Sequence, residues 1–153
     1  VAKKGSPEYF AERMDRLSME FPAKAARLVR RVAVVVDQVL VMGTPVDTGR
    51  ARAGWTATVG EARANDPGYF GPPGDTRLAG QATRQAQVAA QISIAMYKPG
   101  SPPIYIANVV PYISYLERGT STQAPHGMIW QAVWAGRSAM RRFLRDEPLL
   151  KGK

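Results

Sequence analysis

Cysteine is absent from the 153 residues, so neither a disulfide nor a thiolate metal site holds this fold, and thiol nucleophiles are excluded. Such a chain suits a reducing compartment. Histidine occurs once, as His126, which rules out an imidazole cluster for zinc within one chain. As a lone general base His126 lacks a Gly-x-Ser-x-Gly elbow or similar nucleophile turn, and a structural place in the turn before the last helix is expected for it. Neither Gly-x-x-x-x-Gly-Lys nor Gly-x-Gly-x-x-Gly follows a strand-like run, so nothing here cradles a phosphate. No cofactor, no metal and no enzymatic activity are expected. Long apolar runs are missing too: the longest, Val32 to Met42, is broken by Asp37 and Gln38 and falls far short of the roughly 20 residues a bilayer requires. Val1 to Pro7 carries Lys3 and Lys4 with no apolar stretch behind them, which does not read as a secretory signal. The expectation is a soluble protein that meets no membrane.

What is present fits one domain over 1–153, with 45% hydrophobic residues to form a core. Lysine and arginine total 21 against 12 acids, a formal charge of +9, which attracts polyanions or acidic protein surfaces. None of the groove-reading motifs of DNA-binding domains is visible.

Ser6, Pro7 and Glu8 have the chemistry of a helix start. Phe10, Met14, Leu17 and Phe21 then form one helical face. Pro22 predicts a kink or restart, after which Ala25, Leu28, Val32, Val35 and Val39 continue the stripe to a left-handed cap at Gly43. The valines at 32–36 are also compatible with a strand. Arg27, Arg30 and Arg31 share the opposite face, either solvated or in contact with an acidic partner. Thr44 to Gly49 reads as a turn. Ala53 to Val59 alternates as a half-buried strand through Trp55, Ala57 and Val59. Residues 61–84 are rich in Gly, Pro, Asp and Asn and read as a long loop, either disordered or a contact arm.

Val88 to Tyr97, with Ile92, Ile94 and Met96 on one face, reads as a strand that forms a hairpin with Ile104 to Val110, the Ala53 to Val59 strand adding at one edge. A short helix over Tyr112 to Arg118 ends at Gly119. A last helix from about Pro125 to Arg145 has Ile129, Val133, Gly136, Met140 and Phe143 as its core stripe. The predicted class is α+β: a long N-terminal helix and a C-terminal helix packed on a small, mainly antiparallel sheet of three or four strands.

Asp47 and Glu117 stand beside arginines, Arg50 and Arg52 in one case and Arg118 in the other. A glycosidase-type carboxylate pair is conceivable; an ion pair or cap holding the turn to the short helix is the favoured account. Trp130 and Trp134, one helical turn apart, are followed along their flank by Arg137 and Arg141. That strip is either an interface, since tryptophan and arginine dominate interface energetics, or core tryptophans beside solvated arginines.

Two segments together are familiar: Thr44-Pro45-Val46-Asp47-Thr48-Gly49-Arg50-Ala51-Arg52-Ala53-Gly54-Trp55, and later Pro111-Tyr112-Ile113-Ser114-Tyr115-Leu116-Glu117-Arg118-Gly119-Thr120. In this order they resemble the tail-component family of tailed bacteriophages, which includes tail-completion and neck proteins. There a long helix leads into a TPVDTG turn and a strand, and a PYA-x-Y-hydrophobic-E-x-GT segment precedes a C-terminal helix. The match covers roughly Phe10 to Leu144, departing at Ile113-Ser114 and in the long Gly/Pro loop.

The resemblance implies a non-enzymatic virion protein at the head–tail junction, assembled in the bacterial host cytoplasm as a homo-oligomeric ring, a hexamer or dodecamer. Its partners would be copies of itself, neighbouring connector and tail proteins, and DNA passing through the lumen. Thr44, Pro45, Asp47, Thr48, Gly49, Tyr112, Tyr115, Glu117, Gly119 and Thr120 would fix local geometry. Tyr69, Phe70 and Arg77 of the loop, with Trp130, Trp134, Arg137 and Arg141, would make contacts between subunits. The alternatives are a tail terminator capping the tail tube, or a basic, non-specific nucleic-acid-binding protein.

Overall fold

A computed structural model describes residues 6–68, 71–72 and 77–148. The chain is helix-rich, and its longest element, α1 (Pro7–Gly43), starts where Ser6 Oγ accepts from the Tyr9 amide at 3.2 Å. The expected break at Pro22 does not divide it: α1 is one helix with the proline inside. Gly43 does not take the left-handed conformation either. The helix ends because the Thr44 amide and hydroxyl both donate to Leu40 O, at 3.1 and 2.6 Å, and Pro45 follows.

Beyond a single turn of helix, α2 (Arg50–Ala53), come β1 (Thr56–Val59), α3 (Arg77–Ala95), β2 (Ile104–Ala107), the short α4 (Ile113–Glu117) and α5 (Ile129–Asp146). β1 and β2 pair antiparallel, Ala57 opposite Ile106. Among the described residues this sheet has two strands, not three or four.

The missing strand is the segment 88–97, whose residues up to Ala95 belong to α3, so the predicted hairpin with Ile104 to Val110 is replaced by the direct β1–β2 pair. Its alternating Ile92, Ile94 and Met96 look like a strand, but only Ile94 is buried; it shares a helical face with Ala90 and Ala79 while Ile92 and Met96 are exposed. Alanine, glutamine and arginine, strong helix formers, fill the rest. The helix also claims 77–84, so the irregular segment after β1 is shorter than the 61–84 expected.

α1 is the spine. α5 lies antiparallel to it, as three contacts along the pair record: Gly43 beside Met128, Gly136 against Val36 and Val32, and an Arg27–Glu147 ion pair at 2.8 Å. At Gly136 the helices come so close that an added Cβ would meet Val36 Cγ2 at 2.7 Å, which favours glycine. α3 lies on another side of α1, with Ile94 and Ala90 against Ala33 and Arg30 Nη1 donating to Tyr97 O at 2.6 Å. Two apolar clusters result. One joins Leu40, Val41, Trp55, Met128 and Ala132; the other joins Ala33, Ala57, Ala90 and Ile94; Ile106 of β2 packs against both.

Two apolar faces read from the sequence lie largely outside this core, Gly136 of the α5 stripe excepted. Phe10, Met14 and Phe21 of α1 are exposed, because nothing among the described residues packs along Pro7–Met19, where only Tyr9 and Leu17 are partly covered. In α5 the buried positions are Ala132 and Gly136, whereas Ile129, Val133 and Met140 are exposed. Close packing against α1 selects small residues, which turns the large ones outward.

Candidate interaction site

The two segments that carry the family resemblance meet at one end of the α1–α5 pair. Thr44, fully buried, is the hub of the first: its hydroxyl accepts from Trp55 Nε1 at 2.7 Å while donating to Leu40 O, and Met128 Sδ lies 3.1 Å away. Arg52 closes the turn from outside, its guanidinium donating to Thr44 O and Met42 O. Pro45 is buried, Thr48 is half-buried and Asp47 is exposed. Gly49 sits at φ 83°, with Ala79 of α3 pressed against it. Arg50, whose guanidinium lies 6.0 Å from the Tyr112 ring centre, grips Asp66 with two hydrogen bonds, one of 2.7 Å from Nε. Those bonds, with one from the Gly68 amide, hold the Asp66 carboxyl down to about 2. They fasten the segment after β1 to the turn.

Glu117 resolves the two accounts of its carboxylate. One oxygen, Oε2, accepts from the amides of Met128 and Ile129 at 2.8 and 3.0 Å, capping α5, whose own preceding residue Met128 provides no side-chain cap. Asp47 takes no part in it: the cap holds α4 to α5. Gly119 ends α4, Thr120 Oγ1 donates to Tyr115 O at 2.7 Å, and Arg118 lies over the exposed Tyr115 ring. His126 sits, exposed, in the turn before α5, as expected. Glu117→Ala is expected to cost about 1 kcal/mol, the usual worth of a helix cap, and to lower the melting temperature by roughly 3 °C. Thermal denaturation followed by circular dichroism checks this.

Of the expected contact residues, Trp130, Trp134, Arg137 and Arg141 are all exposed on α5. The tryptophans are 61% and 49% exposed, so neither is core. Their rings meet edge to face with centroids 6.2 Å apart, and the Arg137 guanidinium lies 5.5 Å from the Trp134 ring centre. Arg77, exposed, is the first residue of α3 rather than part of a loop. Tyr69 and Phe70 lie outside the described residues.

Sequence reasoning missed three parts of this region. Ile129, Val133 and Met140 extend the exposed face of α5, a shift that the small residues Ala132, Ala135, Gly136 and Ala139 on its other side could have signalled. Gln123 was overlooked because nothing local marks it: its side-chain amide accepts from Val46 N at 2.9 Å and donates to Val46 O at 3.1 Å, as a neighbouring strand would. Arg27, Arg30 and Arg31 of α1 do not act as one solvated face, since Arg27 pairs with Glu147 and Arg30 with Tyr97 O.

No family model, curated protein or solved structure matches the chain. No helix among the described residues is long and apolar enough to cross a membrane.

Proposed function

We propose that this chain is a structural protein of a tailed-bacteriophage virion, placed at the head–tail junction as a neck or tail-completion component and assembled as a homo-oligomeric ring. The observation that carries the reading is the outward face of α5, where Trp130, Trp134, Ile129 and Val133 stand in solvent beside Arg137 and Arg141. Contiguous large apolar side chains of this kind mark protein–protein contact sites, and tryptophan with arginine is the composition of interface hot spots. The packing of Pro111–Thr120 against Thr44–Trp55, with Arg50 near the Tyr112 ring and Ile113 and Leu116 on the cluster that holds Trp55, supports the family reading, since residues far apart in sequence lie together. The test is the mass of the purified protein by light scattering, together with its position in a virion reconstruction. A ring-sized particle located at the neck is expected; a stable monomer associated with no part of the virion would overturn the proposal.

One observation favours a second reading, a basic protein that contacts nucleic acid. The observation is the net charge of the chain, +9, which draws polyanions. DNA affinity that falls steeply with salt supports it; no binding at low salt removes it.

A further inference from the structure

The outward ridge of α5 is Trp130, Trp134, Arg137 and Arg141, which recur at steps of four, three and four on the side away from buried Ala132 and Gly136. One flank of the ridge is apolar, with Ile129, Val133 and Met140 exposed along it; the other carries exposed Arg142. No carboxylate occurs between Ile129 and Arg145. Asp146, the first that follows, is taken by Arg145 at 3.2 Å. The face is therefore apolar along one edge and positive along the other, with nothing negative in it.

A second copy of this chain does not match that face. Setting α5 against α5 would bring arginine onto arginine, and no described surface offers apolar side chains flanked by free carboxylates. Glu8, Glu12 and Asp15 lie on the side of α1 opposite Phe10, Met14 and Phe21, a stripe bordered instead by Arg13 and by Glu20, which Lys24 matches at 3.7 Å. Glu61, Asp66 and Glu147 are held by Arg63, Arg50 and Arg27, and Glu117 caps α5. Nucleic acid matches the face no better. The two tryptophan rings cross at 88°, so both cannot lie flat against one run of stacked bases. The Arg137 guanidinium already lies 5.5 Å from the Trp134 ring centre, and a phosphate backbone has no counterpart for Ile129, Val133 and Met140.

We infer that the outward face of α5 binds an acidic amphipathic helix of a different protein. The apolar stripe of that helix covers Trp130, Trp134 and the aliphatic flank, and carboxylates along one side of the stripe pair with Arg137, Arg141 and Arg142. A helix fits because the ridge runs straight for about 16 Å, or three turns, and such rows pack into the grooves of a second helix. The inference rests on the proposed reading of α5 as a protein contact face and names the chemistry of its partner. It makes α5 the contact to a neighbouring component, so the contact between copies lies elsewhere.

Tryptophan fluorescence reads the contact, because Trp130 and Trp134 are exposed while Trp55 is buried. The probes are two designed helical peptides of about five turns, each with a leucine stripe, one flanked by glutamates and the other by lysines. The full chain is expected to bind the glutamate peptide at least about tenfold more tightly than the lysine peptide, and R137E/R141E to reverse that order. W130A/W134A, followed by calorimetry, is expected to weaken binding of the glutamate peptide at least about tenfold. All four positions are exposed, so both variants retain the parent's far-ultraviolet spectrum. Failure of the glutamate peptide to bind, or equal binding of the two peptides, overturns the inference. So does tighter binding of a single-stranded oligonucleotide or of anionic phospholipid vesicles at these tryptophans. Light scattering separates this contact from the ring. If the parent assembles and R137E/R141E assembles equally well, α5 is free to face another component, as inferred. If R137E/R141E loses assembly, α5 joins copies, and the inference falls while the ring stands. A monomeric parent that binds the glutamate peptide removes the ring and keeps the inference.

Discussion

Asp37→Asn is expected to raise the melting temperature by roughly 5 °C near pH 7.5 and to leave it almost unchanged near pH 4. Asp37 is only 2% exposed, on the side of α1 that carries Ala33 and Val41, and its Oδ1 has no hydrogen-bond partner among the described residues. Burial pushes its carboxyl up to about 6 from an ordinary 3.8. The native state therefore holds this proton more tightly than the unfolded chain does. Below about pH 4 both states are protonated and nothing is lost; as pH rises through about 6 the native state must ionise a buried, unpaired group, and stability falls. A shift of this size corresponds to about 3 kcal/mol at most, and to about 2 kcal/mol once local relaxation around the charge is allowed for. Asparagine keeps the shape and carries no charge, so its advantage exists only above that range. Thermal melts of parent and variant at both pH values decide the matter: an equal difference at both would show that ionisation of Asp37 is not the cause.

Gly49→Ala is expected to destabilise by about 3 kcal/mol and to lower the melting temperature by roughly 6–12 °C. Two causes act together. At φ 83° an L side chain is strained, and the added Cβ would stand 2.2 Å from Ala79 Cβ, forcing α3 away from the turn. Ala79→Gly in the same chain removes the steric part and leaves the backbone part, so Gly49→Ala costs less in that background; a double-mutant cycle by chemical denaturation measures the difference. Strict additivity would mean that the approach of α3 does not constrain this turn.

The reach of the sequence can be judged from such positions. The turn at 44–49, the strands at 56–59 and 104–107, the short helix before Gly119 and both long helices are marked by local chemistry: proline, threonine and glycine at the turns, alternation in the strands, periodicity in the helices. Val88 to Tyr97 misled because its aliphatic residues also fall at alternate positions, and period two over a few residues competes with the period 3.6 of the alanines around them. Phe10, Met14 and Phe21 misled differently. Periodicity reports that a helix has an apolar face but is silent about what covers it, and here nothing among the described residues reaches that far. Tryptophan and arginine at 130–141 left open whether the strip is surface or core, because the answer and the strip's width depend on which side of α5 the small residues turn toward α1. The partners of Glu117 and Gln123 are long-range, and no spacing rule announces them.

The pairing of α1 with α5 also has a mechanical side. Its two ends are fastened unequally. Near Met128 the helices are riveted by a dry core, the Thr44 hub and the Glu117 cap. At the other end the polar fastening is the Arg27–Glu147 ion pair, both side chains about half in water, a bond worth at most about 1 kcal/mol and weakened by salt. The pair therefore behaves as a clasp with one fixed jaw, whose looser end answers to ionic strength while the riveted end stays shut.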